Sequence, residues 1–366
     1  MPAIDVSLNG NRATDLATFT VKVNGSQLPG TYSVVSIDVN KSINRIATAE
    51  LVLLDGDPAS QQFGASSDDL LVPGNEIEIE AGYSMEEEVI FKGIIVKQRI
   101  KVKRRGDSLL YVTCKDPAFR MALDRKSAYF KEITDSDLID EIVGKYDGLQ
   151  TDILPTTNVH AEVVQYQVTD WDFLLSRAEK TGLCCVTDSG TLSIKKPDLL
   201  TPPATSLTFG QNIFDFDLEL DAQHQYKAVN AYAWNPTDQE MLAAEVDSTA
   251  EPPQGNIDGN ELAGTSKVDQ FDLRHSGKLE QQELDAWAEA QLQRARLSRI
   301  RGMVKFQGTA DLKVGGTIEL NGLGDRFNGQ AFVAGLRHLI GDGDWTTAAE
   351  IGMNPDWHHE QYPVEA

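Results

Sequence analysis

The sequence predicts a mainly β chain with an α+β insertion, and three observations carry the prediction. Apolar and polar residues alternate over short runs in the first 115 or so residues, the period-2 pattern of half-buried strands. From about residue 118 to 200 the spacing becomes helical. A block of the first third recurs near the C-terminus, which points to two related β units on either side of the insertion.

Taken in order, residues 19–23 form a short strand. Residues 32–39, with Val34, Val35, Ile37 and Val39, form a longer one before a polar turn at 40–44. Residues 49–54 (AELVLL) make a buried strand stopped by Asp55-Gly56-Asp57-Pro58. Ile77 and Ile79 alternate with Glu76, Glu78 and Glu80, a strand with one acidic face. Over 96–103, Val96, Ile100 and Val102 face one way while Lys97, Arg99, Lys101 and Lys103 face the other. Strands so spaced, with turn signals between, suit a small barrel or a sandwich.

In the middle region Pro117 fits the first turn of a short helix containing Phe119, Ala122 and Leu123. Asp135 or Ser136 can cap a helix whose apolar face is Leu138, Ile139, Ile142, Val143 and Tyr146. Thr169 with Asp172 resembles a capping box, ahead of a helix that buries Phe173, Leu174 and Ala178 and stops near Gly182. CCVTDSGTLSIKK (184–196) reads as a hairpin turning at Asp188-Ser189-Gly190.

After a loop at 197–203, strands resume around Leu207 and over 227–234. The acidic stretch 238–272 reads as an exposed loop at its centre, EPPQGNIDGNELAG. A long helix over 278–299 puts Leu284, Trp287, Ala288, Leu292 and Ala295 on one face. It begins with Glu280, Glu283 and Asp285 and ends with Arg294, Arg296 and Arg299, which complements the helix dipole. Strands at 316–320, 330–340 and 346–351 finish the chain. The division is a first β-barrel domain at 1–117, the α+β insertion at 118–200, and a second β-barrel domain at 201–366 with the long helix and a C-terminal tail.

The repeat aligns residues 71–79 (LVPGNEIEI) without gaps on 312–320 (LKVGGTIEL). Each copy is followed by a glycine read as a turn (Gly82, Gly322), then by Phe-x-Gly (91–93 and 327–329), then by an apolar strand. A trimer of such chains would display six similar barrels in a ring.

Composition bounds the function. At 366 residues the chain exceeds one ordinary domain, and 41% hydrophobic with 24% charged residues suits a protein with a real core. Thirty-three Lys and Arg against 56 Asp and Glu give a net charge of −23, which repels phosphate backbones and argues against nucleic acid as a partner. The acidity serves solubility, or faces a channel or a basic partner. The adjacent Cys184 and Cys185 with a solitary Cys114 make neither a disulfide framework nor a metal spacing, as expected of a reducing compartment. The N-terminus MPAIDVSLNGNR lacks the plan of a signal peptide. With no long apolar run and no lipid anchor expected, assembly in the cytoplasm is the prediction.

Five blocks in order, 33–58, 72–102, 111–130, 169–194 and 312–352, resemble the hub portion of VgrG-type spike proteins and of phage late-control and tail-hub proteins. The nearest likeness is to spike proteins of extracellular contractile injection particles. In the last block His338 and Trp345-Thr346 sit where the family has similar residues. The resemblance implies a homotrimer of paired tube-like antiparallel β-barrels forming a pseudo-sixfold ring. It also implies three partners: a hexameric inner tube above, baseplate proteins around it, and a membrane-piercing spike below, with a C-terminal OB-fold and β-helix missing here or on a separate chain. The machine would be a phage tail, a type VI secretion system or a released extracellular particle.

No catalytic, cofactor or metal residues are assigned, and a non-enzymatic structural role is expected. His358-His359-Glu360 lacks the i,i+4 spacing of a metalloprotease helix. Residues 256–261 and 341–344 lack EF-hand order and read as turns, and 322–325 reads as a hairpin turn. Trp171 and Trp287 read as core or interface residues. The alternatives are a tail-tip cell-wall hydrolase component, which would need a cleft with paired carboxylates, and a carbohydrate-binding module, which would need exposed aromatics on one strand face. For the ring, Glu76, Glu78 and Glu80 are expected on an acidic channel wall. The basic stripe Lys97, Arg99, Lys101 and Lys103 is expected away from the channel, on a solvated face or against an acidic neighbouring subunit.

Overall fold

The computed structural model describes residues 16–103, 107–277 and 279–355, and they are mainly β, 49% strand against 17% helix. The first unit contains β1 (Ala17–Val23), β2 (Ser26–Gln27), β3 (Val34–Ser42), β4 (Thr48–Leu54), α1 (Gly64–Ser67), β5 (Glu76–Tyr83), β6 (Glu86–Val102) and β7 (Ser108–Lys115). Next come β8 (Arg125–Thr134), α2 (Asp135–Val143), β9 (Gln150–Ile153), β10 (Val159–Thr169), α3 (Asp170–Lys180), β11 (Cys184–Asp188) and β12 (Thr191–Lys195). The remainder is β13 (Ser206–Thr208), β14 (Ile213–Leu220), β15 (Ala228–Asn235), β16 (Glu240–Val246), α4 (Gly259–Ser266), β17 (Gln270–His275), α5 (Gln281–Leu297), β18 (Ile300–Gln307), β19 (Thr317–Asn321), β20 (Gly329–Gly341) and β21 (Asp344–Ile351).

Thirteen strands share one sheet, in the order β14-β18-β21-β20-β3-β4-β7-β6-β5-β1-β2, with β19 and β13 branching from β20. Two separate apolar cores lie along it. One gathers Ile37, Leu51, Ile79, Phe91 and Leu110; the other gathers Val304, Phe306, Ile318, Leu320 and Val333. Period-2 alternation explains which residues enter: Ile77 and Ile79 are buried while Glu76, Glu78 and Glu80 turn outward. Full burial of each such side chain is worth about 1.5–3 kcal/mol.

The expected pair of closed barrels is not what forms. Among the described residues no pairing closes the sheet into a barrel. The reason lies in β20, which is longer than β19. Its residues 329–332 pair with β19, but 335–341 leave that partner and take β3 instead. The long strand therefore joins the two halves rather than closing its own.

The insertion has its own core of Leu138, Ile142, Trp171, Leu174, Cys185 and Ile194. Thr134, rather than Asp135 or Ser136, caps α2, because those two side chains are engaged elsewhere: Asp135 by Arg177, and Ser136 by Thr134 and Thr156. Thr169 caps α3 by accepting from the Asp172 N–H at 3.1 Å, and the 184–195 hairpin turns through Ser189 and Gly190, both at positive φ. The stretch expected as an exposed loop is structured: Asp258 caps α4, which buries Leu262 and Ala263. Strands β16-β15-β17 form a further sheet, under an α5 that buries Leu284, Ala288, Leu292 and Ala295 and half-buries Trp287. A capping box between Glu280 and Glu283 opens α5. No helix among the described residues is long and apolar enough to cross a membrane.

Candidate assembly surface

The two halves of the large sheet repeat each other strand for strand. Along the first, β1, β5, β6, β7, β4 and β3 are neighbours in that order; along the second, β13, β19, β20, β21, β18 and β14. Sequence order matches as well, since β1, β3, β4, β5, β6 and β7 correspond to β13, β14, β18, β19, β20 and β21. The repeated block sits at the same place in both, with Ile77 opposite Gly93 and Ile318 opposite Ala331. Backbone bonds agree: Gly74 N–H donates to the Ile95 carbonyl and Gly315 N–H to the Val333 carbonyl.

Even the irregularities repeat. A bulge between Ile95 and Lys97 in β6 corresponds to one between Val333 and Gly335 in β20, and a bulge between Val34 and Ser36 in β3 to one between Ile213 and Asp215 in β14. Two parts of the expected repeat fail. The registers place Gly93 with Ala331, so the Phe-x-Gly segments are two residues out of step. Gly82 lies inside β5, where a Cβ would meet the Glu86 carbonyl at 1.8 Å; the turn is made by Ser84 and Met85. Two departures separate the halves: β1 runs antiparallel to β5 whereas β13 runs parallel to β19, and the bulge between Ile79 and Glu80 in the β5–β6 ladder has no counterpart in the β19–β20 ladder.

Followed across the ladders, the repeat makes Arg99 the counterpart of Arg337 and Asp217 the counterpart of Asp38. Where β20 meets β3, Arg337 lies opposite Asn40 and reaches diagonally to Asp38, joined to it by two hydrogen bonds of 3.0 and 2.7 Å. Beneath them Ile37, Val39, His338 and Ile340 are buried. Of their counterparts, Phe216, Ile100 and Val102 are 38%, 44% and 62% exposed, and Leu218, the counterpart of Val39, is half-buried. Among the described residues, 97–102 of β6 have β7 on one side and no strand on the other, and β14 has only β18. These are two open edges at places whose equivalents are joined inside the chain.

The charged stripes also find their place. Glu76 is opposite Ile94, Ile94 is opposite Lys115, and Lys115 shares its face of β7 with Thr113, which is opposite Lys97. The glutamates and the basic stripe therefore lie on one face of the sheet, against the expectation that they part company. Register decides this, because the bulge at 95–97 shifts the alternation of β6. Glu78 meets Lys92 and Lys22 at 3.0 and 3.1 Å, and Glu80 meets Lys22 at 2.6 Å, so part of this acidity is neutralised. The Lys92 and Lys22 hydrogen bonds hold the Glu78 carboxyl below its usual range.

Away from the sheet, a half-buried ionic cluster around the buried Asp135 ties the insertion to α5. Asp135 takes His160 at 2.9 Å and Arg177 at 2.6 Å, while Glu283 takes Lys180 at 3.0 Å and lies 3.4 Å from His160. Burial pushes the Asp135 carboxyl up, but His160 and Arg177 more than offset it and leave it below the ordinary value. Each member is paired across elements, which is the arrangement of a structural clasp. Sequence reading missed it because its members are spread from 135 to 283. No group of three or more His, Cys, Asp or Glu among the described residues is placed to hold a metal, and His358, His359 and Glu360 lie outside those residues. Asp342 and Gly343 make the tight turn between β20 and β21, and the glycines of 322–325 adopt the positive φ of a turn. Trp171 is buried in the insertion core, and Cys114, Cys184 and Cys185 are buried thiols whose ionisation burial opposes.

A family model described as the Alg8 N-terminal domain matches residues 13–342. No curated protein matches the sequence. Among solved structures, the chain is similar to the 43 kDa tail protein of prophage MuSo2 from Shewanella oneidensis, with a TM-score of 0.70 at 12% identity, covering 93% of this chain and 98% of that one. It is similar to the tail protein from Neisseria meningitidis MC58, with a TM-score of 0.68 at 17% identity and coverage of 93% and 98%. It is also similar to the E. coli c3393 protein, a component of the type VI secretion system that exhibits structural similarity to the T4 bacteriophage tail proteins gp27 and gp5. There the TM-score is 0.54 at 10% identity, with coverage of 91% and 76%. At such identities the likeness is one of fold, and that fold is the one found in phage tail and type VI secretion components.

Proposed function

This chain belongs to the Alg8 N-terminal domain family, and we propose that it is a non-enzymatic structural hub of a contractile injection machine. In this reading three copies form a ring that connects a hexameric inner tube to a membrane-piercing spike, with baseplate proteins as further partners. Residues 1–117 and 201–366 supply the two ring units of each copy, and 118–200 is the insertion between them. The observation that carries the reading is the internal repeat: two half-sheets with the same strand order and two matched pairs of bulges. Three such chains present six near-equivalent units, which is what a sixfold tube needs from a threefold spike. The fold shared with tail and secretion proteins supports the same role.

Light scattering on the purified chain tests it. The expected mass is about three times the 40.2 kDa of one chain, and negative-stain images should show rings with six lobes. A monomer at high concentration, with any natural C-terminal continuation present, sinks the hub.

A further inference from the structure

We infer that β14 of one copy adds to the open edge of β6 in the next, antiparallel and in the register that β3 and β20 already adopt within each chain. The partner is a second copy of this chain, and the inference rests on the hub reading only for the number of copies that close the ring.

The junction observed inside the chain has a repeat-related counterpart at the two open edges. Inside the chain Ile340 lies opposite Ile37, Leu339 opposite Asp38 and His338 opposite Val39. Replacing each residue by its counterpart in the other half puts Val102 opposite Phe216, Lys101 opposite Asp217 and Ile100 opposite Leu218. The repeat fixes backbone register alone, yet in that register apolar residues meet apolar ones and a cation meets an anion. Two residues along on either side the rule continues, with Lys103 opposite Asp215 and Arg99 opposite Glu219. A register shifted by one residue would set lysines against Phe216 and Leu218, and cross-strand pairing penalises such mismatch.

The edges themselves call for a partner. An unpaired strand edge with exposed apolar side chains is a template for another strand, and Val102, Ile100 and Phe216 are exposed on edges that no strand covers among the described residues. Among the described residues Lys101, Lys103, Asp215 and Asp217 form no ion pair, while Glu219 shares Arg301. Arg99 stacks on Tyr111 of β7, 4.3 Å from the ring, so its guanidinium turns from that ring when it meets Glu219. Because each copy carries one edge of each kind at different places, the contact is head-to-tail, and head-to-tail contacts close into rings or run on as filaments.

Cross-linking separates this junction from the hub reading. Chains carrying Lys101→Cys and chains carrying Asp217→Cys are mixed and oxidised; the native thiols are buried. Disulfide-linked dimers in the mixture, absent from either variant alone, are expected. In a chain carrying both substitutions, linked species should stop at three. A particle of trimer mass that yields no cross-link overturns the junction and leaves the hub standing. A cross-linked ladder running past three supports the junction and sinks the threefold hub, and a wild-type monomer ends both. As a second arm, Lys101→Asp should weaken association by on the order of tenfold or more, and adding Asp217→Lys should restore it. Unchanged association in the single reversal counts against the pairing.

Discussion

Arg337 forks onto the carboxylate of Asp38, its Nε donating at 3.0 Å and its Nη2 at 2.7 Å, although 299 residues separate the two in sequence. The pair marks the seam where the last long strand of the chain meets its first. It sits on the polar face, with Arg337 54% and Asp38 25% exposed, so water screens much of the attraction.

The seam is accordingly held from its other face. Asp38→Asn should lower stability by less than about 1 kcal/mol, whereas Ile37→Ala, which empties a fully buried site, should cost about 2–5 kcal/mol. Urea unfolding of both variants checks the ranking. An Asp38→Asn cost that equals or exceeds the Ile37→Ala cost would reverse the assignment of what joins the halves.

His338 gives the seam a pH dependence. It is buried with Nδ1 2.9 Å from the Thr347 hydroxyl, and burial, helped by Lys41, lowers its pKa from 6.5 to about 4. A histidine whose folded pKa is depressed stays neutral while the unfolded chain takes up a proton. Its contribution is therefore whole above pH 6.5 and is lost as pH falls from there towards 4, about 3 kcal/mol in all. His338→Gln removes the titration, so its unfolding free energy should fall less than that of the parent between pH 7 and pH 4.5. Equal slopes for both proteins would refute the buried neutral imidazole.

The clasp between the insertion and α5 responds to acid in a different window. The depressed Asp135 pKa stabilises the fold above the unfolded carboxyl value of 3.8, and that contribution is lost as pH drops below it. Arg177→Met leaves Asp135 with His160 as its remaining ionic partner and should cost about 3 kcal/mol at neutral pH, while raising the pH at which the insertion opens. Hydrogen exchange of α2 and α3 as a function of pH measures both effects; unaltered protection in the variant would mean that the apolar contacts alone hold the insertion.

Much of the architecture was legible in local pattern. The alternation at Ile77–Ile79 marked a strand and its buried face, the spacing from Leu284 to Ala295 marked a helix and its buried stripe, and Thr169 with Asp172 marked a helix start. The match of 71–79 with 312–320 marked the duplication, because each copy must rebuild the same glycine-led entry into a strand. The ionic clasp, whose members come from four separate elements, left no trace in any short window.

What the sequence by itself determined is the class of the strongly patterned segments, the face those segments bury and the fact of the repeat, since these depend on period and on residues a few positions apart; β8, β10 and α4 carried too weak a pattern to be read. Only the tertiary structure decided which strand lies beside which. Alternation says that Asp38 and Lys101 point away from a core, but it carries no address for a partner hundreds of residues distant. That address comes from register, set by bulges at 95–97, 333–335, 34–36 and 213–215 and by the length of β20 beyond the end of β19. The extra length turns two expected barrels into one continuous sheet, and it leaves β6 and β14 with open edges where their counterparts are joined.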